Sequence, residues 1–78
     1  SQFRTLSQSF STDLVAGKDL HHIDFLEPFS VPPVVSTTIE TDKFFIPHMV
    51  SGVTETGYFV KFGANVPANY KIHTYAVR

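Results

Sequence analysis

The chain contains no cysteine, and for a protein of 78 residues this absence limits the ways in which the fold can be stabilised. At this length the free energy gained by burying apolar surface nearly cancels the conformational entropy lost on folding. Small domains offset the deficit with disulfides, metal sites or partner subunits, and disulfides and thiolate metal sites both need cysteine. We therefore expect oligomerisation to stabilise this domain. The absence of cysteine does not by itself decide whether the protein works in a reducing or an oxidising compartment.

The order of apolar and polar residues predicts strands almost everywhere. Val, Ile, Thr, Tyr and Phe dominate, and no ten-residue window keeps the apolar spacing of a helix. Short strands separated by turns about every ten residues are typical of an antiparallel sandwich or barrel. The predicted strands lie within residues 3–10, from residue 22 to the proline at 28, and over residues 34–41, 48–55, 58–62 and 70–77.

The last strand shows the clearest alternation. Its even-numbered residues from Tyr70 to Ala76 share one face, and its odd-numbered residues from Lys71 to Val77 share the other. In the first strand we expect Leu6 and Phe10 to face inward. The remaining segments read as turns or loops, namely a short capped turn at 11–16, turns at 16–19 and 56–57, and a loop at 63–69.

The charge pattern argues against several classes of partner. Six basic and seven acidic side chains give a net charge of −1, without a basic stripe for nucleic acid. No apolar run approaches the roughly 20 residues of a membrane span. The chain begins without methionine and reaches apolar residues at once, so we expect one domain over residues 1–78 that is a C-terminal fragment of a longer chain.

Four histidines raise the question of a metal site, but their spacing does not match a ligand set. His21 and His22 are adjacent and would point to opposite faces of a strand, so only one of them could join a given site. The chain also lacks the motifs of nucleophile elbows, phosphate loops and zinc proteases. We expect neither a metal, a cofactor nor catalysis.

The aromatic residues divide into core and contact candidates. Tyr58 and Tyr70 have polar tips and lie near loops, which favours contact with a ligand. Phe44 and Phe45 are adjacent and cannot both face one core, so one of them is exposed or buried between subunits, and we favour the subunit interface. The core candidates are Phe25, Phe29, Phe59 and Phe62.

The chain resembles the H-type lectin domain over about two-thirds of its length. The resemblance is carried by Ile23-Asp24-Phe25, Pro28-Phe29, Pro32-Pro33-Val34-Val35-Ser36, Val53-Thr54-Glu55-Thr56-Gly57-Tyr58 and Ile72-His73-Thr74-Tyr75-Ala76. The paired prolines and the hairpin, at their distance from each other, are the most specific parts. The resemblance implies a six-stranded antiparallel β-sandwich that forms a symmetric homotrimer and binds N-acetylgalactosamine-like sugars between subunits. Related domains are found at the ends of bacteriophage tail fibres.

One departure from the family pattern matters for the sugar. The H-type lectins carry a Trp-His pair before the last strand, where this chain has Ala64-Asn65-Val66-Pro67, so that sugar platform is not carried over. The family's arginine in the earlier strand falls near Lys43 to Phe45, which makes Lys43 a substitute. Our candidate ligand-binding residues are Asp42, Lys43, Asn65, Asn69 and Tyr70.

The leading hypothesis is a non-catalytic, homotrimeric recognition domain that binds a cell-surface glycan, located at the tip of a viral tail fibre, extracellularly or on the virion surface. A second hypothesis is a structural trimerisation or assembly knob that binds no sugar, which the missing Trp-His pair favours. A small hydrolase ranks third, and it requires a pocket that unites a serine, a histidine and an acid at hydrogen-bond distance.

Overall fold

Six strands form where β-branched and aromatic residues alternate with polar ones, as the sequence predicts. The computed structural model describes residues 6–78, so the predicted strand positions before residue 6 lie outside the described residues. The strands are β1 (Ser7–Asp13), β2 (Lys18–Asp24), β3 (Val34–Glu40), β4 (His48–Ser51), β5 (Gly57–Val66) and β6 (Lys71–Val77).

The strands form two small antiparallel sheets. One sheet has the order β1-β6-β3 and is called sheet A here; the other has the order β2-β5-β4 and is called sheet B. Their inner faces enclose a single cluster of buried apolar side chains. The described residues form no helix. The predicted all-β, sandwich-like class of fold is thus confirmed.

Strand β6 runs along the middle of sheet A and determines which residues enter the core. It pairs in register with β1 on one side and with β3 on the other. Ile72, Thr74 and Ala76 are buried, while Tyr75, between two of them, points away from the core and is half exposed. The predicted alternation of the last strand is confirmed.

A buried hydrogen bond joins the two sheets at the centre of the core. The Tyr58 hydroxyl in sheet B lies 2.7 Å from Thr74 Oγ1 in sheet A. Burial raises the pKa of Tyr58, because the phenolate would lose its solvation there. The prediction that Tyr58 lies at a contact surface is wrong: its side chain is fully buried, since the strand alternation directs it inward.

Two further polar contacts fix the edges of the sandwich. Gln8 reaches from β1 to the segment after β2, where its amide group donates to the Glu27 carbonyl and accepts from the Leu26 amide at 2.8 Å. On the other edge Thr37 Oγ1 of β3 lies 2.9 Å from His48 Nε2 of β4. Each consecutive pair β1–β2 and β3–β4 is therefore tied across the two sheets.

The start of the chain differs from the prediction. Residues 11–13 belong to β1 and are not part of a capped turn, because they pair in register with the first residues of β6 and this pairing outweighs the local capping signal. Phe10 packs against the core as predicted. Leu6 does not: it is 63% exposed, since it precedes the first paired residue of the strand.

Strand β5 is longer than predicted and β4 is shorter. The stretch from Gly63 to Val66 was predicted as a loop, but it continues β5, because the Gly63 amide donates to the Pro47 carbonyl at 2.9 Å and the Val66 carbonyl accepts from the Gly17 amide at 2.7 Å. A register shift in the pairing with β2 accommodates the extra residues. Strand β4 ends at residue 51, before Gly52 with its φ of 60°.

The hairpin that leads into β5 requires a glycine. A Cβ atom on Gly57 would lie 2.4 Å from the backbone oxygen of Ile23, so no larger residue fits without a shift of the backbone. Of the predicted core phenylalanines, Phe25, Phe29 and Phe62 are buried. Phe59 was predicted wrongly: it lies on the outer face of sheet B and is 40% exposed, because its neighbours in the strand already point inward.

The link between the sheets leads to a double-mutant prediction. Tyr58→Phe leaves the Thr74 hydroxyl buried without its partner, and Thr74→Val does the same to the tyrosine, so each change should cost about 1–3 kcal/mol of unfolding free energy. The double variant should be destabilised by less than the sum of the two, since neither partner remains. Urea unfolding followed by circular dichroism measures this, and additive effects would contradict the coupling.

Candidate functional site

A row of charged side chains marks one end of sheet A. Because β6 is antiparallel to both neighbours, its first residue lies beside the last residues of β1 and β3. Lys71 is therefore flanked by Asp13 on one side and by Glu40 on the other. All three side chains point away from the core, so the sheet presents an acid–lysine–acid row to solvent at this end.

The loops next to this row close it into a cleft of about 470 Å³. One wall comes from Thr41 and Asp42, directly after β3, and the other from Asn69 and Tyr70, directly before β6. Asn69 has a φ of 70°, a left-handed conformation that asparagine tolerates better than most residues. The sharp turn it makes brings its side chain to the cleft while the following tyrosine enters the core.

Three of the five predicted ligand-binding residues come together in this cleft, namely Asp42, Asn69 and Tyr70. Tyr70 lies at the bottom of the cleft: it is 2% exposed, and its hydroxyl donates to the Phe44 carbonyl at 2.5 Å. Lys43 and Asn65 are exposed and do not line the cleft. Asn65 belongs to β5 in the opposite sheet, because that strand continues where a loop was predicted.

Sequence reasoning missed the strand-end residues of the cleft, Asp13, Glu40 and Lys71. They are far apart in the chain, and only the register of β6 with its two neighbours brings them together. A signal was present in the alternation of the last strand, which placed Lys71 on the outer face. The alternation did not show which strands lie beside the last strand, since strand order cannot be read from alternation alone.

A hydrogen-bonded row of side chains continues from the cleft along the outer face of sheet A. His73 Nδ1 lies 2.7 Å from Ser11 Oγ, and His73 Nε2 lies 2.6 Å from Glu40 Oε1. The carboxylate accepts from Nε2–H, so in the neutral ring Nδ1 is left to accept from the serine hydroxyl. The hydrogen bond and the charge of His73 hold the pKa of Glu40 below its usual range.

This row has the residue types of a nucleophilic triad but not the setting of one. Ser11 is exposed, and of the three residues only Glu40 lines the cleft. Activation of a serine requires, besides a base, donors placed around the developing oxyanion in a site that excludes water. In this chain the serine, the histidine and the acid lie at hydrogen-bond distance on the outer face of sheet A, and Ser11 and His73 lie outside the lining of the cleft.

The other histidines serve local contacts. His21 is buried, donates from Nε2 to the Lys18 carbonyl at 3.0 Å and meets the Phe62 ring edge-on. His22 points the opposite way, to the outside, as adjacent strand residues must. Among residues 6–78, no three His, Asp or Glu side chains are grouped so that they could hold a metal ion.

Three exposed apolar side chains lie among polar ones on the other side of the molecule, on the outer face of sheet B. Leu20 of β2 and Met49 of β4 flank Lys61 of β5, and Phe59 lies in the next row between the polar residues His22 and Ser51. Met49 is 62% exposed. The Lys61 ammonium binds Asp19 at 2.8 Å and holds the pKa of that carboxyl below its usual range. We call these four residues, Leu20, Met49, Phe59 and Lys61, the apolar face.

Comparison with protein-family models, with curated proteins and with solved structures finds no match for this chain. Within residues 6–78 there is also no helix long and apolar enough to cross a membrane.

The contact between Glu40 and His73 predicts how stability depends on acid. Because the pKa of Glu40 is lower in the folded state than its ordinary 4.5, its contribution is complete above pH 4.5 and is lost as the pH falls through the lower folded value. Glu40→Gln should therefore lose less stability than the native chain below pH 4.5. The measurement is the urea midpoint across a pH series, with Glu55→Gln, at an exposed carboxyl outside this contact, as the matched control. If the urea midpoint of Glu40→Gln fell below pH 4.5 as steeply as that of the native chain, the stabilising role of the Glu40–His73 contact would be contradicted.

Proposed function

We propose that this protein is a non-catalytic, homotrimeric recognition domain that binds a surface glycan in the cleft at the end of sheet A. The observation that carries the proposal is the cleft itself, which gathers polar side chains from three strand ends and two loops. Ligand sites need a concave surface with a few convergent polar groups, and sugars offer many hydroxyls to such groups.

The cleft suits hydroxyl-rich ligands because it offers both acceptors and donors. The carboxylates of Asp13, Glu40 and Asp42 accept hydrogen bonds, and the groups of Asn69 and Lys71 donate them. Charge-assisted hydrogen bonds of this kind are the strong ones at a binding site. Tyr70 acts from below: its buried ring and its bond to the Phe44 carbonyl hold the two loops in place. Lys43 and Asn65 have no part in this site.

The resemblance to the H-type lectins agrees with the coarse architecture. Two small antiparallel sheets with six strands are what that family implies. In that family the sugar lies between subunits of a trimer, and related domains are found at the tips of viral tail fibres. We therefore place the domain at such a tip, outside the cell or on the virion surface.

Exposed apolar side chains support a trimer. The apolar face, together with the groove of about 350 Å³ lined by Pro47, Met49 and Gly63, is a surface that a lone protomer would leave in water. Contiguous exposed apolar patches mark interaction sites. Phe44 and Phe45 are both exposed, the latter by 84%. Because the Phe44 carbonyl contacts Tyr70, a neighbouring copy that covered these rings would lie next to the cleft.

The cleft generates a direct test with two substitutions. Asp42→Asn removes a charged acceptor and should weaken glycan binding about tenfold or more, because hydrogen bonds to charged groups are worth about 1.5–3 kcal/mol. Asn69→Gly keeps the left-handed backbone while removing the amide, and should weaken binding about three- to tenfold. A glycan array identifies the ligand, and isothermal titration of the best one measures the affinities.

Asn65→Ala is the matched control, since it removes a similar exposed amide outside the cleft. It should leave binding unchanged. A blank array at high protein concentration would count against glycan recognition, and loss of binding in the control instead of the cleft variants would move the site elsewhere.

The second candidate function is a trimerisation or assembly knob without a sugar site. The exposed pair Phe44 and Phe45 favours it, since a neighbouring protein could cover the same surface. A knob should remain trimeric while binding no glycan, so the array and the oligomeric state together separate the two functions.

The apolar face predicts the effect of charge on assembly. Met49→Lys places an ammonium in the proposed contact between copies and should convert the trimer to protomers at micromolar concentration, with a lowered midpoint of thermal unfolding. Sedimentation velocity measures the state. Val15→Lys, at an exposed apolar position outside this face, should stay trimeric. A native protein that sediments as a stable protomer at micromolar concentration would overturn the trimer.

A further inference from the structure

We infer that the glycan site extends beyond the cleft, along the outer face of sheet A, and accepts a linear oligosaccharide without acidic groups. This inference rests on the proposed glycan function and specifies its ligand. It concerns the outward-facing rows of sheet A, which we call the outer stripe. From the cleft, the rows are Asp13–Lys71–Glu40, Ser11–His73–Thr38 and Ser9–Tyr75–Ser36.

The far row of the outer stripe has the composition of a recognition surface. Tyr75 is 48% exposed, and both of its cross-strand neighbours, Ser9 and Ser36, are small and exposed. Neither direct cross-strand neighbour is large enough to cover the tyrosine ring. Tyrosine supplies rigid apolar area at low entropic cost, and serine supplies adaptable hydrogen bonds, which is why the two are enriched in antibody combining sites.

The middle row is held in one orientation before any ligand arrives. His73 is fixed between Ser11 at 2.7 Å and Glu40 at 2.6 Å. A side chain that is already ordered loses little rotamer freedom on binding, so its contacts with a ligand are less offset by entropy. The two ring nitrogens are occupied, which leaves the faces and carbon edges of the imidazole, beside the Tyr75 ring, for a ligand.

Glu40 makes the cleft and the outer stripe continuous. Its side chain lines the cleft and also bonds His73, so a ligand in the cleft lies next to the middle row. From Lys71 to Tyr75 the strand advances about 13 Å at a rise of about 3.3 Å per residue. A single sugar in the cleft would leave Tyr75 untouched, and a chain of several sugars would reach it.

The charges of the site determine which class of oligosaccharide it accepts. Asp13, Glu40 and Asp42 outnumber Lys71, so carboxylated or sulfated sugars would meet net repulsion at the cleft. Neutral sugars and sugars bearing an amine do not. The ligand class is therefore a neutral or amine-bearing oligosaccharide that enters the cleft with one end and follows β6 with the rest.

The test uses the full chain and a length series of linear neutral oligosaccharides, from the monosaccharide to the hexasaccharide, of the sugar that ranks first on a glycan array. Isothermal titration at pH 7 gives the affinities, with sialylated counterparts as the acidic comparison. We expect affinity to rise about tenfold with length, and Tyr75→Ala to remove most of that rise while leaving monosaccharide binding within about twofold. Tyr75→Phe should keep the rise, and the acidic counterparts should bind more weakly.

The outcomes separate this inference from the proposed function. Monosaccharide binding without a gain in affinity for longer oligosaccharides would overturn the extended site and leave the cleft in place. If the gain in affinity with length persisted in Tyr75→Ala, the role of the outer stripe would be overturned. Absence of binding to every sugar would overturn both. A change in oligomeric state in Tyr75→Ala would assign the stripe to contact between copies, and the inference would fall.

Discussion

The register of β6 with its two neighbours is the constraint on which the rest of the structure depends. It is the middle strand of sheet A, so a slip of one residue would exchange its buried and exposed faces. Thr74 would then lose the hydroxyl of Tyr58, and the sheets would lose their buried polar link. The same slip would break the charged row that borders the cleft. Core, sheet packing and candidate site are therefore fixed by one set of pairings.

Much of the fold follows from local sequence patterns. The predictions that were wrong share one cause. The number of strands, the alternation of the last strand and the extent of β3 were predictable, because side-chain alternation is a local property. The end of β1 and the second half of β5 were not, since backbone pairing across the chain forms strands there that local signals read as turn and loop. Leu6 shows the same limit: its face followed from alternation, but its exposure depends on where the pairing starts.

The candidate site was predictable only in its loop residues. Asp42 and Asn69 stand out in a sequence as polar residues at breaks between strands, and both line the cleft. Lys43 and Asn65 carry the same kind of signal and lie elsewhere, so the signal does not discriminate between them. The strand-end residues became visible only through the strand order of sheet A. Tyr70 also lines the cleft, but its burial could not be predicted, because a polar tip near a loop is compatible with a buried ring whose hydroxyl bonds a loop carbonyl.

The hydrogen bonds on the outer stripe do little for stability, and this bears on what they are for. Exposed ion pairs and hydrogen bonds contribute little to folding stability, because water competes for the same groups. Ser11 and Glu40 nevertheless hold His73 on both nitrogens. What such a row does supply is fixed geometry at a surface. In our proposal, a ligand along the outer stripe would use this geometry, which contributes little to folding.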